Sequence, residues 1–196
     1  KLFVLVTTIF ALQFLALAQE DWFWQNPLPQ GNKLWSVQFI NSNIGWAVGE
    51  GGTVIKTTNG GTSWSVINCS PYAMYNCSLY FINENVGWVA SWAGKVFKTT
   101  NGGDDWIEQS TPAYSELYSI IFKDLNYGCT VGSGGHIFET TDGGETWFQS
   151  ASGTSKDLRC VHFVNELTGW VVGREGTLLK TTDGGSTWQD GSFNIG

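Results

Sequence analysis

Four copies of one short pattern, spaced about 41 residues apart, constrain this chain more than any other feature of it. They read Thr57-Thr58-Asn59-Gly60-Gly61-Thr62-Ser63-Trp64, Thr99-Thr100-Asn101-Gly102-Gly103-Asp104-Asp105-Trp106, Thr140-Thr141-Asp142-Gly143-Gly144-Glu145-Thr146-Trp147 and Thr181-Thr182-Asp183-Gly184-Gly185-Ser186-Thr187-Trp188. A fixed period of this size means one supersecondary unit repeated, and no single copy can bury its apolar face alone.

One repeat shows the logic. Trp35-Ser36-Val37-Gln38-Phe39 alternates apolar and polar residues, the period-two signature of a half-buried strand. Gly45-Trp46-Ala47-Val48-Gly49 is a short apolar run bounded by glycines, as in a strand covered on both faces. Thr53 to Thr58 is almost wholly β-branched and reads as a third strand, and Trp64-Ser65-Val66-Ile67 begins a fourth. The other repeats match in register: Phe39 aligns with Phe81, Phe122 and Phe163, and Gly45 with Gly87, Gly128 and Gly169. Cys129 departs from the tryptophan of Trp46, Trp88 and Trp170, and Glu139 from the lysine of Lys56, Lys98 and Lys180. Four short strands per unit predict an all-β fold, a β-propeller of four-stranded antiparallel blades. A helical solenoid needs apolar residues at i, i+3 and i+4 over longer runs, and none follows residue 20. The expected division is a signal peptide over 1–18, a lead-in over 19–33, and blades over 34–75, 76–116, 117–157 and 158–196.

The repeated turn resembles the Asp-box, or bacterial neuraminidase repeat. Asn59, Asn101, Asp142 and Asp183 can each accept hydrogen bonds from turn amides, with Trp64, Trp106, Trp147 and Trp188 packed beneath. Two of the four acceptors are Asn, so negative charge is not required, which argues against calcium and for a structural turn. The whole repeat, Gly-Trp-x-Val-Gly and then the Lys-Thr-Thr-Asx-Gly-Gly run, is similar to that of the photosystem II assembly and stability factors and of secreted bacterial proteins that share it. The resemblance spans roughly residues 31–190. It implies a propeller, usually of seven blades, that serves as a binding scaffold, so four blades are expected to form an open arc of a larger ring. It also implies an arginine-rich partner surface, whereas the arginines here are Arg159 and Arg174 alone.

Charge and termini narrow the partners. The net charge is −7 and no basic patch occurs, which argues against nucleic acid and anionic membrane surfaces. Lys1, the mostly apolar run Leu2 to Leu15 and Ala16-Leu17-Ala18 read as a secretory leader, with no membrane insertion after its removal. An exported chain admits a disulfide between Cys69 and Cys77, while Cys129 and Cys160 are read as free buried thiols or an inter-blade bridge. His136 and His162 are isolated and no Cys-x-x-Cys occurs, so neither metal nor cofactor is expected. Oligomeric state is not set by these features.

On a propeller, the turns lie on one face, while the loops between second and third strands share the other with the inter-blade connectors. Loops carry function on such scaffolds. The equivalent loop position is Glu50, Trp92, Ser133 and Arg174, different in every repeat and followed two residues on by the constant Gly52, Gly94, Gly135 and Gly176. Trp92 suits a sugar ring or a peptide side chain. Arg174 suits a carboxylate. Tyr72, Tyr75 and Tyr114 lie on the adjoining connectors. A noncatalytic scaffold for a protein or carbohydrate ligand is therefore expected. The alternatives are a glycoside hydrolase of sialidase or endoglucanase type and a photosystem II assembly factor-like chaperone. Hydrolysis needs two carboxyls facing one cleft, and no pair is nominated.

Overall fold

A computed structural model describes residues 31–67 and 75–191. The chain forms four four-stranded antiparallel sheets, each a simple meander in chain order. The first comprises β1 (Leu34–Phe39), β2 (Gly45–Gly49), β3 (Val54–Thr57) and β4 (Ser65–Val66). The second comprises β5 (Asn76–Phe81), β6 (Gly87–Ser91), β7 (Lys95–Thr99) and β8 (Ile107–Ser110). The third runs β9 (Leu117–Phe122), β10 (Gly128–Gly132), β11 (Ile137–Thr140) and β12 (Phe148–Ser150). The fourth runs β13 (Leu158–Phe163), β14 (Gly169–Gly173), β15 (Leu178–Thr181) and β16 (Gln189–Asp190). These are four propeller blades. The expected Cys69–Cys77 bridge and Tyr72 lie outside the described residues.

Each apolar core sits in a joint between successive blades. Trp46, Val48 and Val54 of the first blade pack with Leu79 and Phe81 of the second. Trp88, Ala90 and Val96 meet Ile120 and Phe122 in the next joint, and Cys129, Val131 and Ile137 meet Leu158 and Val161 in the last. This is why the second strands β2, β6 and β10 are buried at every residue: each is central in its own sheet and covered on both faces.

The repeated residues interlock as a stack. Trp46 lies flat on Phe81 with ring centroids 3.7 Å apart, and Trp88 on Phe122 at 3.5 Å. The turn tryptophans Trp64, Trp106, Trp147 and Trp188 meet Phe39, Phe81, Phe122 and Phe163 edge-on at 5.9–6.1 Å. On its remaining side each phenylalanine ring lies so close to the strand glycine that a Cβ there would come within 2.5–2.7 Å of it. The glycine of Gly-Trp thus makes room for the ring. Each buried indole also donates across its joint, Trp46 Nε1 to the Gly102 carbonyl and Trp88 Nε1 to that of Gly143, both at 3.0 Å.

The third joint solves the same problem with other residues. Cys129 replaces the tryptophan, and Lys123 takes over both of its contacts. The Lys123 ammonium lies 5.1 Å from the Phe163 ring centre and donates to the Gly184 carbonyl at 2.8 Å. Glu139 stands where the other blades carry lysine, and burial pushes its carboxyl up to about 7 despite hydrogen bonds from Trp188 and Ser150. Cys129 and Cys160 are both free. Cys129 is buried as expected, but Cys160 is exposed, because it lies on the outer side of the last blade.

Candidate functional site

The four turns are built alike. Thr57 Oγ1 donates to Asn59 Oδ1 and accepts the Gly61 amide, both at 2.9 Å, and Asn59 Oδ1 accepts the Ser63 amide at 2.9 Å. In the third and fourth copies Asp142 and Asp183 accept the amides and hydroxyls of Thr146 and Thr187. Those hydrogen bonds hold both carboxyls down to about 2. Every acceptor is thus engaged in closing its own turn. Among the described residues no group of three His, Cys, Asp or Glu side chains could hold a metal ion.

The opposite face differs from blade to blade. The loops after β2, β6, β10 and β14 each turn through two successive left-handed residues. Gly51 and Gly134 take the first such position in two blades, but Ala93 and Glu175 take it in the others, with φ of 63° and 55°. Side chains with a Cβ rarely adopt this conformation, so the backbone beside Trp92 and Arg174 is held under strain.

A groove of about 860 Å³ opens beside these loops, bounded by Trp92, Tyr114, Glu116, Tyr118, Ser133 and Arg174. A second, of about 620 Å³, shares Trp92, Tyr118 and Arg174 and continues past Tyr75 to Trp35 and Glu50. Trp92 is half-buried and packs on Tyr75 with ring centres 4.1 Å apart, leaving part of the indole in the groove wall. Tyr114 is 89 % exposed at the rim. Glu50 pairs with Lys33 at 3.3 Å. Ser133 is engaged in tying down the connector, its Oγ accepting the Glu116 amide at 3.1 Å.

The two arginines meet at one carboxylate. Asp157 Oδ2 lies 2.9 Å from a terminal nitrogen of Arg159 and 3.3 Å from Nε of Arg174. Arg159 lies over the Tyr118 ring at 3.9 Å, and the Tyr118 hydroxyl donates to Glu116. Burial, then that hydrogen bond, pushes the Tyr118 phenol up to about 12, so it remains a donor throughout the physiological range. Trp92, Tyr75, Glu50, Tyr114, Ser133 and Arg174 thus line one continuous surface, whereas Tyr118 and Arg159 were not singled out from sequence as groove residues. Trp35, Tyr118 and Arg159 occupy one register position on the first strand of their blades and differ in every blade. That is the same signal that nominated Trp92.

The fold is a BNR-type β-propeller with four blades present. The profile of the photosynthesis system II assembly factor YCF48 family matches residues 16–112 and 106–195, and the chain belongs to that family. No curated protein matches the sequence significantly. Among solved structures, a YCF48 bound to a D1 peptide aligns with TM-score 0.55 and 17% identity over 83% of this chain and 82% of that one. An ancestral GH74 enzyme aligns with TM-score 0.67 and 21% identity over 84% of this chain but 24% of its own. The GH74 xyloglucanase from Xanthomonas campestris gives TM-score 0.66 and 12% identity over 82% and 30%. The chain spans less than a third of either GH74 structure, and at these identities the likeness is one of fold.

Proposed function

We propose that the chain is an exported, noncatalytic scaffold that captures a peptide segment of another protein in the groove between Trp92, Tyr118 and Arg174. The observation that carries this reading is an aromatic wall, Trp92 on Tyr75, beside two guanidinium groups anchored by Asp157. Such a wall suits an apolar or aromatic side chain. Arg174 keeps most of its side chain in solvent and suits a carboxylate of the bound segment. The peptide bound to the YCF48 relative supports this ligand class. The leader-like segment 1–18 supports export.

Hydrolysis fits the groove less well. Asp157 is occupied by the two arginines and Glu116 accepts the Tyr118 hydroxyl, so neither carboxylate is placed as a partner for water or a leaving group. The test is capture from a random heptapeptide array, run beside a reducing-sugar assay on xyloglucan. Trp92→Ala and Arg174→Ala should each weaken peptide capture by roughly tenfold or more while near-UV circular dichroism is preserved. Sugar release by the unaltered chain, or capture indifferent to both substitutions, would overturn the proposal.

A further inference from the structure

The joint between the third and fourth blades lacks the indole that fills the two before it. Trp46 and Trp88 are wholly buried and lie flat on Phe81 and Phe122, which are at most 2 % exposed. The third blade has Cys129 at that register position, and Phe163, the counterpart of Phe81, is only partly buried. Phe163 keeps the rest of its setting. Trp188 meets it edge-on at 5.9 Å, and Gly169 backs its near face as Gly87 backs Phe81. Its exposure therefore follows from the indole missing on its far face. Lys123 sets an ammonium there, 5.1 Å from the ring centre, which does not cover a ring as an indole at 3.7 Å does.

A groove of about 750 Å³ opens at this joint, with Cys129, Glu139, Phe163 and Gly184 in its wall and Tyr127 at its rim. Departures from the repeat collect here. Lys123 stands where the other blades carry Ile40, Ile82 and Val164, and Tyr127 where they carry Ile44, Val86 and Thr168. Cys129 and Glu139, which replace tryptophan and lysine, are 4 % and 8 % exposed. Positions that hold blades together repeat, whereas these four differ and line one wall. A buried carboxyl and a thiol are a poor filling for a core and a good lining for a binding groove of mixed polarity. The charged side chains that line it are the carboxylates of Asp124, Glu139, Glu166 and Asp183 against the ammonium of Lys123, which favours a cation.

We propose that this groove binds a small aromatic amine, with its ring on Phe163 where Trp46 and Trp88 lie in their own joints and its ammonium among the surrounding carboxylates. Lys123 is the placeholder. Its ammonium holds the Gly184 carbonyl at 2.8 Å, the bond that an indole N–H makes to Gly102 and Gly143 in the other joints. A partly exposed lysine changes rotamer readily, so a ring with its own N–H displaces it from that carbonyl and sends it into solvent. One hydrogen bond is exchanged for another, and burial of the two ring faces drives the exchange. The groove shares no residue with the one beside Trp92, and the inference is independent of what that one captures.

The test is calorimetric titration of the full chain with tryptamine, and with indole-3-acetate as the same ring of opposite charge. Tryptamine should bind once per chain with a dissociation constant below about 1 mM, and indole-3-acetate at least roughly tenfold more weakly. Lys123→Ala, which removes the competing ammonium, should bind tryptamine roughly tenfold more tightly. The double variant Lys123→Ile with Cys129→Trp rebuilds the pattern of the first two joints. It should keep native near-UV circular dichroism and bind no tryptamine, and it decides the matter alone should Lys123→Ala fail to fold. A chain that takes up no tryptamine, a rebuilt joint that binds it equally, or equal affinity for the two indoles overturns the proposal. A folded Lys123→Ala variant that binds no more tightly overturns the placeholder role.

Discussion

Replacing the strand glycines one at a time by alanine tests how the blades are held together, because four equivalent substitutions should have unequal costs. The backbone of Gly45, Gly87, Gly128 and Gly169 lies outside the left-handed region, so an alanine is conformationally acceptable at each. What differs is the freedom of the facing ring. A Cβ on Gly87 would lie 2.5–2.6 Å from Phe81, whose other face is 3.7 Å from Trp46. Phe122 is clamped in the same way between Gly128 and Trp88. Overpacking against a clamped ring costs about 1–3 kcal/mol. The smaller unfolded-state entropy of alanine returns about 0.4–1. The net loss for Gly87→Ala and Gly128→Ala is therefore about 1.3 kcal/mol, or roughly 3–5 °C in Tm for a domain of this size. Phe163 has only the Lys123 ammonium 5.1 Å away on its far side and can retreat, so Gly169→Ala should cost under about 1 kcal/mol. Phe39 has no ring stacked on its far side among the described residues and is 42 % exposed, so Gly45→Ala should be close to neutral. The series is measured by calorimetry and urea titration. Equal losses at all four positions would refute the reasoning, since the neighbouring indole would then have no part in holding the ring.

Three further outcomes follow from the same contacts. Lys123→Met keeps the bulk of the side chain but removes the donor to Gly184 and the charge over Phe163, and should cost about 2 kcal/mol by urea titration. The exposed Lys180→Met should stay within about 0.5 kcal/mol of the unaltered chain. Glu139 has its carboxyl raised from 4.5 to about 7, so its ionisation opposes folding. Glu139→Gln should thus leave stability unchanged below about pH 4.5 and raise it progressively as pH climbs through 7, by up to about 3 kcal/mol, as thermal melts across pH would report. Asp142 and Asp183 have the opposite sign. Held down to about 2 from 3.8, they contribute stability that is complete above about pH 4 and is lost as pH falls toward 2. Asp183→Asn should abolish its share of that acid dependence and keep the turn, as Asn59 and Asn101 do, whereas Asp183→Ala should lower Tm at every pH.

The blades were legible because their signals are local and repeated. Period-two alternation at Val37 and Phe39, glycine-bounded runs such as Gly45 to Gly49, and the Thr-Thr-Asx-Gly-Gly turn each specify their own strand or turn. What links blades was not legible in the same way. Nothing local to Phe39 distinguishes it from Phe81, yet one is exposed and the other lies under Trp46. Lys123 as stand-in for a missing tryptophan depends on Phe163 and Gly184, which lie 40 and 61 positions away and meet it only in the folded joint. The signal that was available is three departures in one repeat, Lys123, Cys129 and Glu139, at positions where other blades carry aliphatic, tryptophan and lysine residues. In the groove, Trp92 and Arg174 stood out because their loop position varies ahead of a constant glycine. Tyr118 and Arg159 vary as much, but on a strand, where alternation is read first as packing.

Partner binding is proposed for the loop face, and the turns serve the architecture of the blades. Hydrogen exchange of the chain with and without a peptide recovered from the array tests that division most directly. Slowed exchange is expected at the amides of Trp92 to Gly94 and Arg174 to Gly176, with the turns at 59–63, 101–105, 142–146 and 183–187 unchanged. Protection confined to those turns, with both loops unaffected, would contradict it.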